Sequence, residues 1–107
     1  MILVNTDFVS GQKLDTLGIV KGSFIQSKHV GKDIMTALKG LVGGELVAYS
    51  EMINEARSKA TKRMVEEAEK IGADAVINIR YASSAVKQGA AEILVYGTAV
   101  KFIRVCP

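Results

Sequence analysis

The sequence predicts an α+β fold in which one long helix packs on a small antiparallel sheet. Three observations carry that expectation. Apolar residues at Ile53, Ala56, Ala60, Met64, Ala68 and Ile71 recur in steps of three and four, the period of one helix face. Residues 75–81 alternate, and 91–105 form a long β-rich run, so strands follow the helix. The glycine fingerprint of a dinucleotide-binding βαβ unit is missing, and the helix disfavours a pure β barrel.

Residues 2–6 suit a short strand, and the polar stretch 7–13, with Gly11, a turn. Leu17 to Ser27 reads as a curved strand with a bend or bulge expected at Gly22. Residues 28–44 hold a shorter helical pattern on Ile34, Leu38 and Leu41, weakened by Gly40 and ended by Gly43-Gly44. Glu45 to Tyr49 then link to the main helix.

That helix is expected from Ser50 to Gly72, with Ser50 as the cap, Glu51 favoured by the helix dipole, and Lys70 and Gly72 marking the end. Its wet face carries Glu55 with Lys59, Lys62 with Glu66, and Glu66 with Lys70, pairs worth about 0.2–0.5 kcal/mol each. Arg57 and Glu67 fall near or on the apolar stripe, where a charge must snorkel or be paired, and Arg63 offers Glu67 a neighbour.

After the Gly72-Ala73-Asp74 turn, alternation places Ala75, Ile77, Ile79 and Tyr81 on one face and Val76, Asn78 and Arg80 on the other. Ala82 to Ala90 reads as a loop, across which Arg80 and Glu92 are expected to face each other. In 91–105 one register carries Ile93, Val95, Gly97, Ala99, Ile103 and Val105, the other Leu94, Tyr96, Thr98, Val100 and Phe102, so both faces are apolar. One helix dries one face. The expectation is that another copy of the chain covers the second, in a closed symmetric assembly.

At 107 residues the chain is expected to form one domain, 1–107. Its lone cysteine, Cys106, fits a reducing compartment, and the Met1-Ile2-Leu3-Val4 start is too short for a signal or a membrane span, so the expected location is cytoplasmic. The net charge of +3 is spread as +1 over residues 1–50, zero over 51–70 and +2 over 71–107, with no basic run, which argues against nucleic acid.

His29 is the single histidine and the one candidate metal ligand, since C-x-x-C, H-x-x-H and H-E-x-x-H are all absent; no other cofactor is implied. One histidine supports no Ser-His-Asp arrangement, and no paired carboxylates stand at general acid/base spacing, so the reading leans away from catalysis. Glu45, Tyr49, Arg57, Arg63, Glu67, Arg80, Glu92, Tyr96 and Thr98 are polar groups in or beside apolar elements. They are candidates for a polar network, or a small-molecule or anion site, between subunits. The alternatives are a heavy-metal-binding protein and a small enzyme that uses Arg80 with Glu92 on an anionic substrate.

Five blocks, Leu17-Gly18-Ile19-Val20-Lys21-Gly22, Gly43-Gly44-Glu45, Ala56-Arg57 with Ala60 and Arg63-Met64, Gly72-Ala73-Asp74-Ala75-Val76, and Glu92 through Val100, stand in an order that closely resembles the YbjQ-like family. This group is also filed as UPF0145 and under a heavy-metal-binding label. The resemblance covers residues 1 to 105. It implies a dodecin-like α+β subunit assembled as a ring of five, and it brings no catalytic residues.

Overall fold

The computed structural model describes residues 1–26, 44–87 and 90–104. Strands β1 (Ile2–Leu3) and β2 (Leu14–Gln26) precede helix α1 (Gly44–Lys70), and strands β3 (Ala75–Lys87) and β4 (Ala90–Phe102) follow it. The four strands form one sheet in the order β1-β3-β4-β2. β4 is antiparallel to both of its neighbours, whereas β1 runs parallel to β3, so the sheet is mixed rather than wholly antiparallel. The fold class is α+β.

Helix α1 begins at Gly44, six residues before Ser50, so Ser50 does not cap it and Glu45–Tyr49 are helix rather than linker. Nothing between the glycine pair and Ser50 breaks a helix, and propagation runs back to Gly44. At the other end Gly72 adopts φ 77°, its N–H donates to the Glu69 carbonyl at 3.0 Å, and the Ala73 N–H reaches the Ala68 carbonyl at 3.1 Å. These are the two bonds of a Schellman cap.

Ala56, Ala60, Met64 and Ala68 are buried against Val20, Val76, Ile79, Ile93, Val95 and Ala99, and Ile53 packs at the margin. Three alanines bring the helix unusually close to β2. A Cβ at Gly22 would stand 2.1 Å from the Ala60 carbonyl oxygen and 2.5 Å from the Met64 nitrogen. Gly22 is therefore a contact point and not the expected bulge; the register of β2 shifts instead between Thr16 and Gly18. Ile71 lies past the helix end and is exposed.

The alternation expected after the helix is broken. Ile77 pairs with Thr98 but Arg80 with Tyr96, so Asn78 and Ile79 both fall opposite Gly97, and Asn78 has φ 52°. This bulge moves Ile79 to the helix side with Val76, while Ala75 and Ile77 stay on the other side. The expected 82–90 loop is also mostly strand. Backbone pairing with β4 continues through Lys87, and Ala82, Ser83 and Ser84, small and exposed, give no apolar signal there.

The sheet's second face is partly covered by the chain itself. Val4, Val9, Leu14 and Phe102 pack on Ala75, Ile77 and Val100, so the N-terminal segment closes one end of this face. That segment is held by Val4 N–H to the Val76 carbonyl at 3.0 Å and by Asn78 N–H to the Thr6 carbonyl at 2.9 Å. The other end, carrying Ile19, Ile25 and Tyr96, is open.

Candidate functional site

The sheet has two sides with different polar equipment. On the helix side, Arg57 donates through Nη1 to Asn54 Oδ1 at 2.9 Å and lies 6.0 Å from the centre of the Tyr81 ring. Thr61 Oγ1 donates to the Arg57 carbonyl at 2.8 Å and shares a 3.0 Å hydrogen bond with the Tyr81 hydroxyl. Sequence reasoning missed Tyr81 and Thr61 as a polar pair, because only the bulge at Asn78 turns Tyr81 toward the helix.

At the opposite flank of α1, Arg63 Nη1 donates to the Ser23 carbonyl at 2.6 Å, and its guanidinium and the Lys59 ammonium stand 5.2 Å and 4.7 Å from the centre of the Phe24 ring. Arg63 thus serves the edge strand β2 and not Glu67, which is exposed; Arg57 too is exposed, so neither is on the buried stripe. Of the three expected helix pairs, Glu55 with Lys59 closes at 3.1 Å, the one salt bridge among the described residues.

On the open side, Arg80, Tyr96, Thr98 and Glu92 share one face. Tyr96 stands directly between Lys21 on β2 and Arg80 on β3, Thr98 between Ile19 and Ile77, and Glu92 between Ile25 and Ser84. Arg80 and Glu92 are therefore not cross-strand partners. They sit four residue pairs apart, about 13 Å along the strand at ~3.3 Å per residue, and do not assemble an acid and a cation at one point of the chain. Arg80 Nη1 instead turns to the carbonyls of Asn5 and Ile79 at 3.4 and 3.2 Å.

Arg57 and Arg63 are thus separated by the sheet from Arg80, Glu92, Tyr96 and Thr98. Glu45 and Tyr49 fall in the first turns of α1, and their side chains lie outside the described residues, as do His29 and Cys106. Among the described residues no three of His, Cys, Asp or Glu come together to hold a metal ion. The open face offers the cations Lys21 and Arg80, hydroxyls and the lone carboxylate of Glu92, a donor set that repels a metal cation rather than fits one. No helix of the described residues is long and apolar enough to cross a membrane.

Comparison with known proteins assigns this arrangement to a family. A family model described as "Putative heavy-metal-binding" matches residues 1–103. The chain belongs to the YbjQ-like family. A UPF0145 protein of Clostridium novyi is 71% identical over 103 residues, covering 96% of this chain and 100% of that one. One of Alkaliphilus metalliredigens is 73% identical with the same coverage, and one of Methanosarcina acetivorans 59% identical over 96% of this chain and 98% of its own. The YbjQ-like chain also superposes on a crystal structure of a protein of unknown function of the DUF74 family from Pediococcus pentosaceus, with TM-score 0.70, 13% identity and coverage of 96% and 98%. That likeness is one of fold.

Proposed function

We propose that this YbjQ-like chain is the subunit of a cytoplasmic homo-oligomer, a ring of five as the family resemblance implies, that binds a small anionic ligand between its copies and performs no chemistry on it. The observation that carries the assembly is the open face. Ile19 is 78% exposed, Ile25 54% and Tyr96 41%, all on the side away from the helix. Solvated apolar side chains grouped on one sheet face, beside an edge strand whose backbone groups lack a strand neighbour on one side among the described residues, are the surface that another subunit covers. A ring neighbour contacts it with a different patch, so no self-complementary surface is required.

The anionic ligand is supported by charge. The open face presents Lys21 and Arg80, and no carboxylate of the described residues stands within ion-pair distance of either. Multi-angle light scattering of the purified protein across the micromolar range tests the assembly. A single species of five chain masses is expected; a monomer at every concentration would refute it.

A further inference from the structure

The bulge in β3 has the character of a functional device. Asn78 is the one non-glycine residue with positive φ among the described residues, a conformation that costs an L side chain free energy and that sheets do not need for pairing. Opposite it, a Cβ at Gly97 would stand 2.6 Å from Val76 Cγ1 and 2.9 Å from the Ile77 carbonyl oxygen, so both strands are specialised for the irregularity. Its effect on side-chain direction is simple. Unbroken pairing from Ile77 with Thr98 would set Arg80 opposite Val95, on the helix side; the extra residue sets it opposite Tyr96, on the open side.

Arg80 is thereby brought into a row with Tyr96 and Lys21 across three adjacent strands. Neighbouring strands lie about 4.8 Å apart, so the two cations start roughly 10 Å from each other with the phenol between them. Long, flexible stems let both reach over that ring. The Thr98 hydroxyl is on the same face two residues further along β4. Arg80 is steadied by the Asn5 and Ile79 carbonyls through Nη1 alone, which leaves its Nε and Nη2 edge without a partner among the described residues.

We propose that Lys21, Tyr96 and Arg80, with Thr98 beside them, bind a phosphate group. The arrangement fits a tetrahedral dianion. Guanidinium and ammonium approach from opposite sides and a hydroxyl from below, so donors meet three oxygens and two positive charges meet two negative ones. A planar monoanionic carboxylate would use the guanidinium fork and leave the lysine uncompensated. The proposal rests on the reading above in taking the open face as the ligand-bearing side, and it names the class of ligand and the hydroxyl donors that join the two cations.

The test is calorimetric titration of the intact protein with inorganic phosphate and with glycerol 3-phosphate, in a phosphate-free, low-salt buffer, with light scattering on the same samples. Saturable binding is expected, weakened at least tenfold in Lys21→Gln and in Arg80→Gln and unchanged in Arg57→Gln, on the other side of the sheet. Tyr96→Phe, which keeps the ring, loses affinity through the hydroxyl alone. Tighter binding of glycerol 3-phosphate assigns a phosphomonoester, tighter binding of the free ion assigns phosphate itself, and either supports the site. No saturable binding by the wild type, or equal weakening by Arg57→Gln, overturns it. If the ring is intact and phosphate does not bind, this inference fails and the assembly stands; if a monomer binds phosphate with the expected variant pattern, the reverse holds.

Discussion

Gly22 is where helix and sheet come closest, and its missing side chain is replaced by backbone on the other side. The atoms that a Cβ would strike are the Ala60 carbonyl oxygen and the Met64 nitrogen, neither of which can swing aside as a side chain does. Gly22→Ala is expected to cost about 3 kcal/mol, at the upper end of overpacking penalties, read as a lowered urea midpoint. A glycine in a strand has two readings, bulge or close approach. The sequence favours the first at Gly22 because it shows the neighbours along the chain and not Ala60, which folding brings against it. Asn78 is the converse case, since an asparagine in an alternating strand gives no warning of positive φ. Asn78→Gly is expected to keep stability within about 0.5 kcal/mol, whereas the β-branched Asn78→Val should lose about 1–2 kcal/mol. Equal denaturation midpoints for the two variants would mean that the left-handed conformation is not what holds the bulge.

At the scale of elements, α1 was legible because its signals are local: a 3.6-residue stripe and a glycine at the end. Its first turns were not, since Ser50 is a good cap residue wherever it occurs and nothing in the sequence ranks it below the glycine pair. Met64 is the largest side chain that the helix buries completely among the described residues. Met64→Ala should lose about 2–5 kcal/mol, the cost of removing a core side chain and leaving a cavity, measured by chemical denaturation. The β3–β4 hairpin was half legible. Ala75–Tyr81 carries an apolar pattern, but Ala82–Lys87 is held by pairing with β4, and backbone hydrogen bonds leave no trace in composition. The phase break at Asn78 hid the Tyr81 contact too. Tyr81→Phe removes the hydroxyl that meets Thr61 at 3.0 Å, yet Tyr81 is 49% exposed. A loss of about 0.5–1 kcal/mol is expected, since water replaces part of the bond.

At the scale of the whole molecule the described residues form a two-layer slab, with α1 about 40 Å long lying over strands about 43 Å long. One layer of helix leaves one side of the sheet to be covered otherwise, and the two-sided apolar character of β4 made that problem visible in the sequence. The solution was only partly visible. Val4, Val9 and Leu14 close one end of the second face from within the same chain, a long-range return that no local pattern encodes. The open end remains, and Ile19 and Ile25 on β2 frame it. Because both side chains are already in water in the single chain, replacing them with aspartate should change the subunit's own stability by no more than about 0.5 kcal/mol each. In an assembly that buries them, the same changes place desolvated carboxylates at the contact, which costs several kcal/mol per site. Ile19→Asp with Ile25→Asp is therefore expected to convert the proposed assembly to folded monomers, seen as a drop in light-scattering mass with the helical circular dichroism retained. An unchanged mass would show that neighbouring copies meet elsewhere and leave this face to solvent. Loss of mass together with loss of helical signal would show that the two isoleucines support the subunit itself, against their exposure in the single chain.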